Sequence, residues 1–428
     1  MPTAGADLIL VERVANRGGV MKPWHFWIRP EDLRPGDKKV EDPAFIAKMR
    51  ATLLQNQANR ARRKAEREEK KANGTATAPS TANASPERAP ERIDTTGFEA
   101  RANEMRRRAQ EFLTSKPGVV RLSPKDRLSN FLRTQCKPLA ELSTKFAENV
   151  NQDAAGKVWN HDVLRGGRNA EASYHQMSGL IDIRPETGRA LVEGMARGAL
   201  ATSAYAVKTY THEVMHAASS EHEYEHSGGR RPHAAMEEAT TELCAQHFAA
   251  DMARGLGISD STGKLGYDAQ ALFSVKMEAP PRTGILSGEY APPGAAVPTI
   301  KAEKPTAYTL RCKRFAQTVA VVEYMDPQDR TKWPASVGSA ALNQSIRDWA
   351  YALKRTRGSM RYERLAHRYL QRAGVDEKNA ARFESARASV AKVLRDHFAE
   401  THKGKDWNAR NEGTLHEALW HVANRYRR

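Results

Sequence analysis

The sequence predicts an α+β fold in which helices dominate, and three observations predict it. From about Tyr308 onward, apolar residues recur at helical spacing. Ile346, Trp349, Ala350 and Leu353 mark one helix, and Phe383, Ala386, Val390, Val393 and Leu394 mark another. In the middle of the chain, Leu200, Ala204, Val207, Val214 and Ala218 form a similar stripe. Ala234 to Arg254 then reads as a second central helix, stopped by Gly255-Leu-Gly257. Strand-like segments are short and few, falling in Leu8 to Ile28 and Ala172 to Arg184.

Taken in order, the chain begins with Leu8 to Val14 and Val20 to Ile28, two strands around the turn Asn16-Arg-Gly-Gly19. Trp24, Phe26 and Trp27 pack in that small hairpin; beside Lys22 and Arg29 they also suit base stacking. Residues 44 to 72 read as a basic helix, with seven positive and three negative side chains between Arg60 and Lys71. Asn73 to Gly97, rich in Ala, Thr, Ser, Pro and Asn, reads as a disordered linker that cannot bury a core. Phe98 to Leu113 is another basic helix, with Phe98, Ala102, Met105, Ala109 and Phe112 on one side. Leu128 to Val150 holds one helix or two, and Ala172 to Arg184 two short strands around Ser178-Gly179. Pro280-Pro281 and Pro292-Pro293 punctuate a linker or long loop. Thr414-Leu-His-Glu417 has the form of a capping box opening the last helix. The expected divisions are a small β-containing element at 1–49, a basic helix and linker at 50–97, a central domain with leading helices at 98–278, the linker or loop at 279–305, and a C-terminal helical bundle at 306–428.

The net charge of +17 over 428 residues points to anionic partners, and the basic N-terminal region is the part suited to nucleic acid. Three scattered cysteines, Cys136, Cys244 and Cys312, imply neither a disulfide framework nor a cysteine zinc ribbon. No apolar run is long enough to span a membrane, and the start of the chain lacks the form of a secretion signal, so a cytoplasmic location is expected.

The chemistry concentrates in Thr209-Tyr-Thr-His-Glu-Val-Met-His-Ala-Ala218. His212 and His216 are four apart on a helix and share a face, so they can grip one zinc ion. Glu213 sits one step round, placed to take a proton from a water on the metal. The same pattern recurs at His222-Glu-Tyr-Glu-His226. There Glu225 and the following Ser227-Gly-Gly229 read as a polar helix end and loop. Zinc needs a third protein ligand, and the next helix offers Glu238 and Glu242, four apart. Glu237 beside them reads as a solvated carboxylate.

These residues resemble a zincin metallopeptidase of the gluzincin, thermolysin-like type, in which H-E-x-x-H on one helix is followed by a glutamate ligand on the next. Glu237-Glu-Ala-Thr-Thr-Glu242 resembles the family's N-E-x-x-S-D, with Glu237 for its Asn and Glu242 for its Asp. The resemblance covers roughly residues 170 to 257. It implies a zincin core with a short β-sheet and two zinc-bearing helices, one zinc per chain, Glu238 as third ligand, and Glu242 orienting His212. It makes 98–278 a metallopeptidase domain acting on a protein or peptide substrate, with Gly179 to Ile183 as the cleft-edge strand that pairs with substrate backbone. Metzincins place a third histidine where His222 stands, but they need a glycine where this chain has Ser219. Tyr224, His226, His233 and Tyr267 are the candidate donors to the oxyanion.

Two function classes follow. One is a zinc-dependent peptidase with Glu213 as general base. The other is a nucleic-acid-associated protein of a phage or mobile element, delivered in a phage particle in one version, whose zincin is accessory or inactive. Plasmid antirestriction proteins, which join a DNA-binding part to a zincin with a similar E-E-x-x-x-E helix, resemble the chain loosely in that way.

Overall fold

The computed structural model describes residues 9–17, 20–28, 38–44, 46–47, 85–115, 123–154, 160–163, 170–175, 179–200, 203–220, 230–261, 263, 265, 273–278, 297–302, 307–328, 339–399 and 412–427. It is mostly helical with small sheets, as the apolar spacing predicts. The chain divides into two compact units, Met1–Thr81 and Ala82–Arg428.

In the first unit, β1 (Ile9–Arg17) and β2 (Val20–Ile28) form the expected antiparallel hairpin, with Arg17 opposite Val20. A two-residue strand, β3 (Lys38–Lys39), pairs on the other side of β1. Most of the expected basic helix at 44–72 lies outside the described residues.

The second unit opens with an unexpected strap. The reading of 73–97 as a coreless linker fails from residue 85 on: Ala89 and Ile93 are buried. Main-chain groups hold the strap. Ala89 N–H donates to Asp348 Oδ1 and Ile93 N–H to Asp251 Oδ2, both at 2.9 Å, and Pro90 C=O lies 2.8 Å from His247 Nε2. Composition misjudged this stretch because its partners are carboxylates far away in sequence.

Helix α1 (Glu99–Thr114) buries Ala102, Met105 and Ala109, the expected face. Helix α2 (Pro124–Asn130) starts on Ser123, whose hydroxyl accepts from Asp126 N–H at 3.1 Å. A π turn at Phe131–Gln135 leads to α3 (Lys137–Val150). Three short strands follow: β4 (Asn160–Val163), β5 (Ala172–His175) and β6 (Leu180–Ile183). Their order is β4-β6-β5, with β4 parallel and β5 antiparallel to β6. The sequence shows the β5–β6 pair but not β4, and the omission matters. Leu180–Ile183 is the central strand, hydrogen-bonded on both sides, so it has no free edge for a substrate to join. Within this sheet the edges belong to β4 and β5, and β5 is the one that packs on the histidine-bearing helix.

Helix α4 (Pro185–Arg197) ends at Gly198, whose φ of +64° and position against the Arg106 guanidinium leave no room for a side chain. Helix α5 (Ala204–Ala217) carries the H-E-x-x-H stretch, and α6 (Arg230–Gly255) carries the glutamates. Ser259 ties the two ends together, bonding to Gly198 C=O and Leu200 N–H. Helix α5 begins five residues later than Ala199, because Ala199 bridges to Ser259 instead. Strands β7 (Phe273–Glu278) and β8 (Val297–Ala302) form a two-stranded ladder.

Five helices complete the unit: α7 (Ala307–Tyr324), α8 (Ser339–Lys354), α9 (Arg361–Arg372), α10 (Ala380–Ala399) and α11 (Glu412–Arg427). Helix α11 starts before Thr414, so Thr414 is inside the helix and not its cap. The C-terminal helices do not form a separate bundle. Helices α7, α8 and α10 pack on α6, and one continuous apolar core runs from Ala89 to Ala423. No helix among the described residues is long and apolar enough to cross a membrane.

Candidate metal centre

Every residue from Tyr210 to Ser220 is buried, so the second half of α5 has no solvent face. Apolar residues account for most of that burial, and His212, Glu213 and His216 are carried inside with them. Each histidine then needs a polar partner, because an unpaired buried polar group is costly. Helix α6 supplies both partners. His212 Nδ1 lies 2.8 Å from Glu242 Oε2, and His216 Nδ1 lies 3.1 Å from Glu237 Oε1.

These bonds set the tautomers. A carboxylate only accepts, so each Nδ1 carries the proton and each Nε2 presents a lone pair. The two Nε2 atoms face each other 3.2 Å apart. Glu238 Oε2 joins them, 3.5 Å from His212 Nε2 and 3.7 Å from His216 Nε2. That oxygen is buried and has no hydrogen-bond partner among the described residues. With both imidazoles neutral, three acceptors converge, their ligand atoms all within 4.8 Å of one another. Such a set is complementary to a cation, and two imidazoles with one carboxylate suit zinc.

The carboxylates that would favour a cation here also favour a proton on the imidazoles. Burial pulls His212 down, but the neighbouring carboxylates of Glu238 and Glu242 overturn that and push it up to about 10. Burial raises the carboxyls, yet the imidazoles hold Glu238 well below its ordinary value and Glu242 down to about 2. The group draws positive charge inward.

The two histidine supports differ. Glu242 accepts from Gln246 at 2.9 Å, and Lys208 stands 3.9 Å from it. Glu237, expected to be solvated, is instead sealed in the core. Lys354 of α8 donates to its Oε1 at 2.6 Å, and Ser219 and Thr241 add hydroxyl bonds at 2.7 and 3.2 Å. Arg361 of α9 donates to its other oxygen. Lys354 and Arg361 are themselves buried, and burial lowers the Lys354 ammonium despite Glu237.

The structure therefore gathers His212, His216, Glu238 and Glu242 as expected, with Glu213 buried next to His212 on the same helix. The sequence reading missed Glu237, Lys354, Arg361, and two groups from the first turn of α7. Tyr308 sets its ring edge-on to His212, centroids 5.4 Å apart, and Arg311 Nη1 lies 3.8 Å from Glu238 Oε2. Burial, then the negative charges of Glu238 and Glu213, raise the Tyr308 phenol above its usual value, so it stays an O–H donor. The one sequence hint for the buried cluster was Lys354 directly after the apolar stripe ending at Leu353. Of the other candidates, His222, Tyr224, His226 and Tyr267 lie outside the described residues, and His233 packs against Tyr362 at 5.3 Å. The three cysteines are free and buried. Comparison with family models, curated proteins and solved structures finds no match for this chain.

Proposed function

We propose that this protein is a zinc-dependent peptidase. The observation that carries the reading is the convergence of His212 Nε2, His216 Nε2 and Glu238 Oε2, all acceptors, beside the buried carboxylate of Glu213. Three protein ligands leave the fourth zinc position open, the arrangement of catalytic rather than structural sites. Bound there, zinc supplies Lewis acidity, polarising a carbonyl and lowering the pKa of a water.

The remaining work falls to the chain. Glu213 takes the proton of the attacking water and passes it to the leaving amine. Tyr308, half exposed at the mouth of the site, donates its O–H to the carbonyl oxygen as negative charge builds there. Glu242 and Glu237 hold the imidazoles in the tautomer that leaves Nε2 free. The substrate enters along the side of Tyr308 and Glu238, the more open side of the group.

The test is metal analysis and peptide cleavage on the same preparations of the full chain. Wild type should hold one zinc and His216→Ala should lose it. Glu213→Gln should keep zinc and lose cleavage by about 100- to 10,000-fold, the usual worth of a general base. Cleavage by Glu213→Gln at the wild-type rate would overturn the mechanism, and a zinc-free wild type would overturn the whole reading. A second reading, a nucleic-acid-associated protein with an accessory zincin, draws on the +17 charge and on the separate unit Met1–Thr81. Binding of DNA or RNA by the full chain, falling steeply with salt, combined with a zinc-loaded but inert centre, would favour it.

A further inference from the structure

Most cations around the metal centre have acceptors close by. Arg361 bonds to Glu237 and to the Thr356 carbonyl, and Lys354 to Glu237, Ser219 and Thr241. Two cations are held more loosely. Lys208 stands 3.9 Å from Glu242, and Arg311, among the described residues, makes no hydrogen bond and has one ion-pair contact, with Glu238 Oε2 at 3.8 Å. That oxygen is the one the metal would take.

Arg311 also has a fixed position. It sits three residues after Tyr308 on α7, so the two side chains share a helix face. Its Cζ lies 5.6 Å from the centroid of the Tyr308 ring, and that ring is set edge-on against His212. Contact with an aromatic face steadies a guanidinium and leaves the N–H groups along its rim free to donate. The site is more exposed on this side than at its histidines: the Arg311 and Glu238 side chains are 20% and 24% exposed, against 8% for His212 and 10% for His216, and Tyr308 is 45% exposed.

We infer that Arg311 recognises a carboxylate on the substrate, and that this site selects peptides bearing an acidic group beside the bond to be cut. The inference rests on the peptidase reading and names its substrate class. With a cation held by Glu238, that carboxylate would no longer compensate Arg311, whose guanidinium makes no hydrogen bond among the described residues. A carboxylate satisfies such a fork with two parallel bonds, which a neutral side chain cannot do. Lys208, the other cation near the group, adds attraction of the same sign, and the strongly basic chain draws anionic peptides from a distance. The carboxylate can belong to an Asp or Glu side chain or to the peptide's own C-terminus. The chemistry is shared, and peptide design separates the two.

The experiment uses the full zinc-loaded chain and three matched peptide sets: one with Asp or Glu near the scissile bond and an amidated end, one neutral with a free C-terminus, and one neutral and amidated. Cleavage is measured with wild type, and binding by calorimetry with Glu213→Gln as an unreactive trap. One of the two carboxylate sets should exceed the neutral amidated set by roughly 10- to 100-fold, the worth of a charge-assisted pair. Which one it is identifies the source. Arg311→Gln should bring that ratio towards one, and Arg311→Lys should retain part of it. Zinc content, measured alongside, tests whether Arg311 merely balances Glu238. Zinc loss with an unchanged ratio would overturn the inference. Equal treatment of all three sets by wild type would overturn it while leaving the peptidase reading intact. A chain that takes up no zinc would overturn both.

Discussion

The candidate metal centre has two histidine supports built in opposite ways. The support of His212 is local: Glu242 lies on the adjacent helix, four residues after the ligand Glu238, and reaches Gln246 on its own helix and Lys208 near the surface. The support of His216 is remote: Glu237 is sealed among Lys354 and Arg361, which arrive from helices more than a hundred residues downstream. The Glu242 side chain is 15% exposed, whereas Glu237 is 2% exposed and its removal strands two buried cations. The first support bears on its histidine alone, whereas the second also ties α6 to α8 and α9.

The contrast is sharpest in Glu237→Ala. Leaving Lys354 and Arg361 unpaired in the core should cost about 3–5 kcal/mol in chemical denaturation of the metal-free protein. Stability within about 1 kcal/mol of wild type, an ordinary surface value, would show that the cluster is not sealed as described. Lys354→Met comes next. It keeps the apolar stem and leaves the Glu237–Arg361 pair, so a loss of about 1.5–3 kcal/mol is expected, the worth of a hydrogen-bonded charge. A loss equal to that of Glu237→Ala would mean that Arg361 contributes nothing.

Glu242→Ala should separate the two supports by kind as well as size. Metal titration should show affinity falling roughly 10- to 100-fold, as for other groups that orient a ligand histidine. Denaturation of its metal-free form should move little. If instead it unfolds like Glu237→Ala, the local and remote supports are not distinct. The smallest effect belongs to Thr241→Val, which at nearly constant shape removes a hydroxyl that donates to Glu237 and accepts from Lys354. It should cost about 1 kcal/mol, read from the shift in denaturation midpoint.

The same division decides what could be read from the sequence. The pairs His212–His216 and Glu238–Glu242 are legible as helical spacings, each pair four positions apart, whereas the joining of the two pairs comes from the family resemblance. The β1–β2 hairpin and the helices α1, α8 and α10 are legible for the same reason, since local periodicity marks their buried faces. Glu237 was misjudged because nothing within ten residues shows that a lysine and an arginine will meet it. Strand β4 was missed because Asn160-His-Asp-Val163 alternates weakly and gains its place only by pairing with β6. The strap at 85–97 failed as a linker for a related reason: two of its anchoring bonds are main-chain N–H groups, which carry no residue signature. Local rules find elements and repeated spacings, whereas partners supplied by the fold stay hidden until the fold is known.

The unbroken burial from Tyr210 to Ser220 has a consequence for motion. A helix with an outward face can open turn by turn, whereas the stretch from Tyr210 on, buried throughout, has no such partial route. Its amide protons should therefore exchange with deuterium only when the whole unit opens, placing them among the slowest in the protein. The histidines on that helix are then held in position before any ligand arrives, and an ion, once seated, cannot escape by fraying of the helix beneath it.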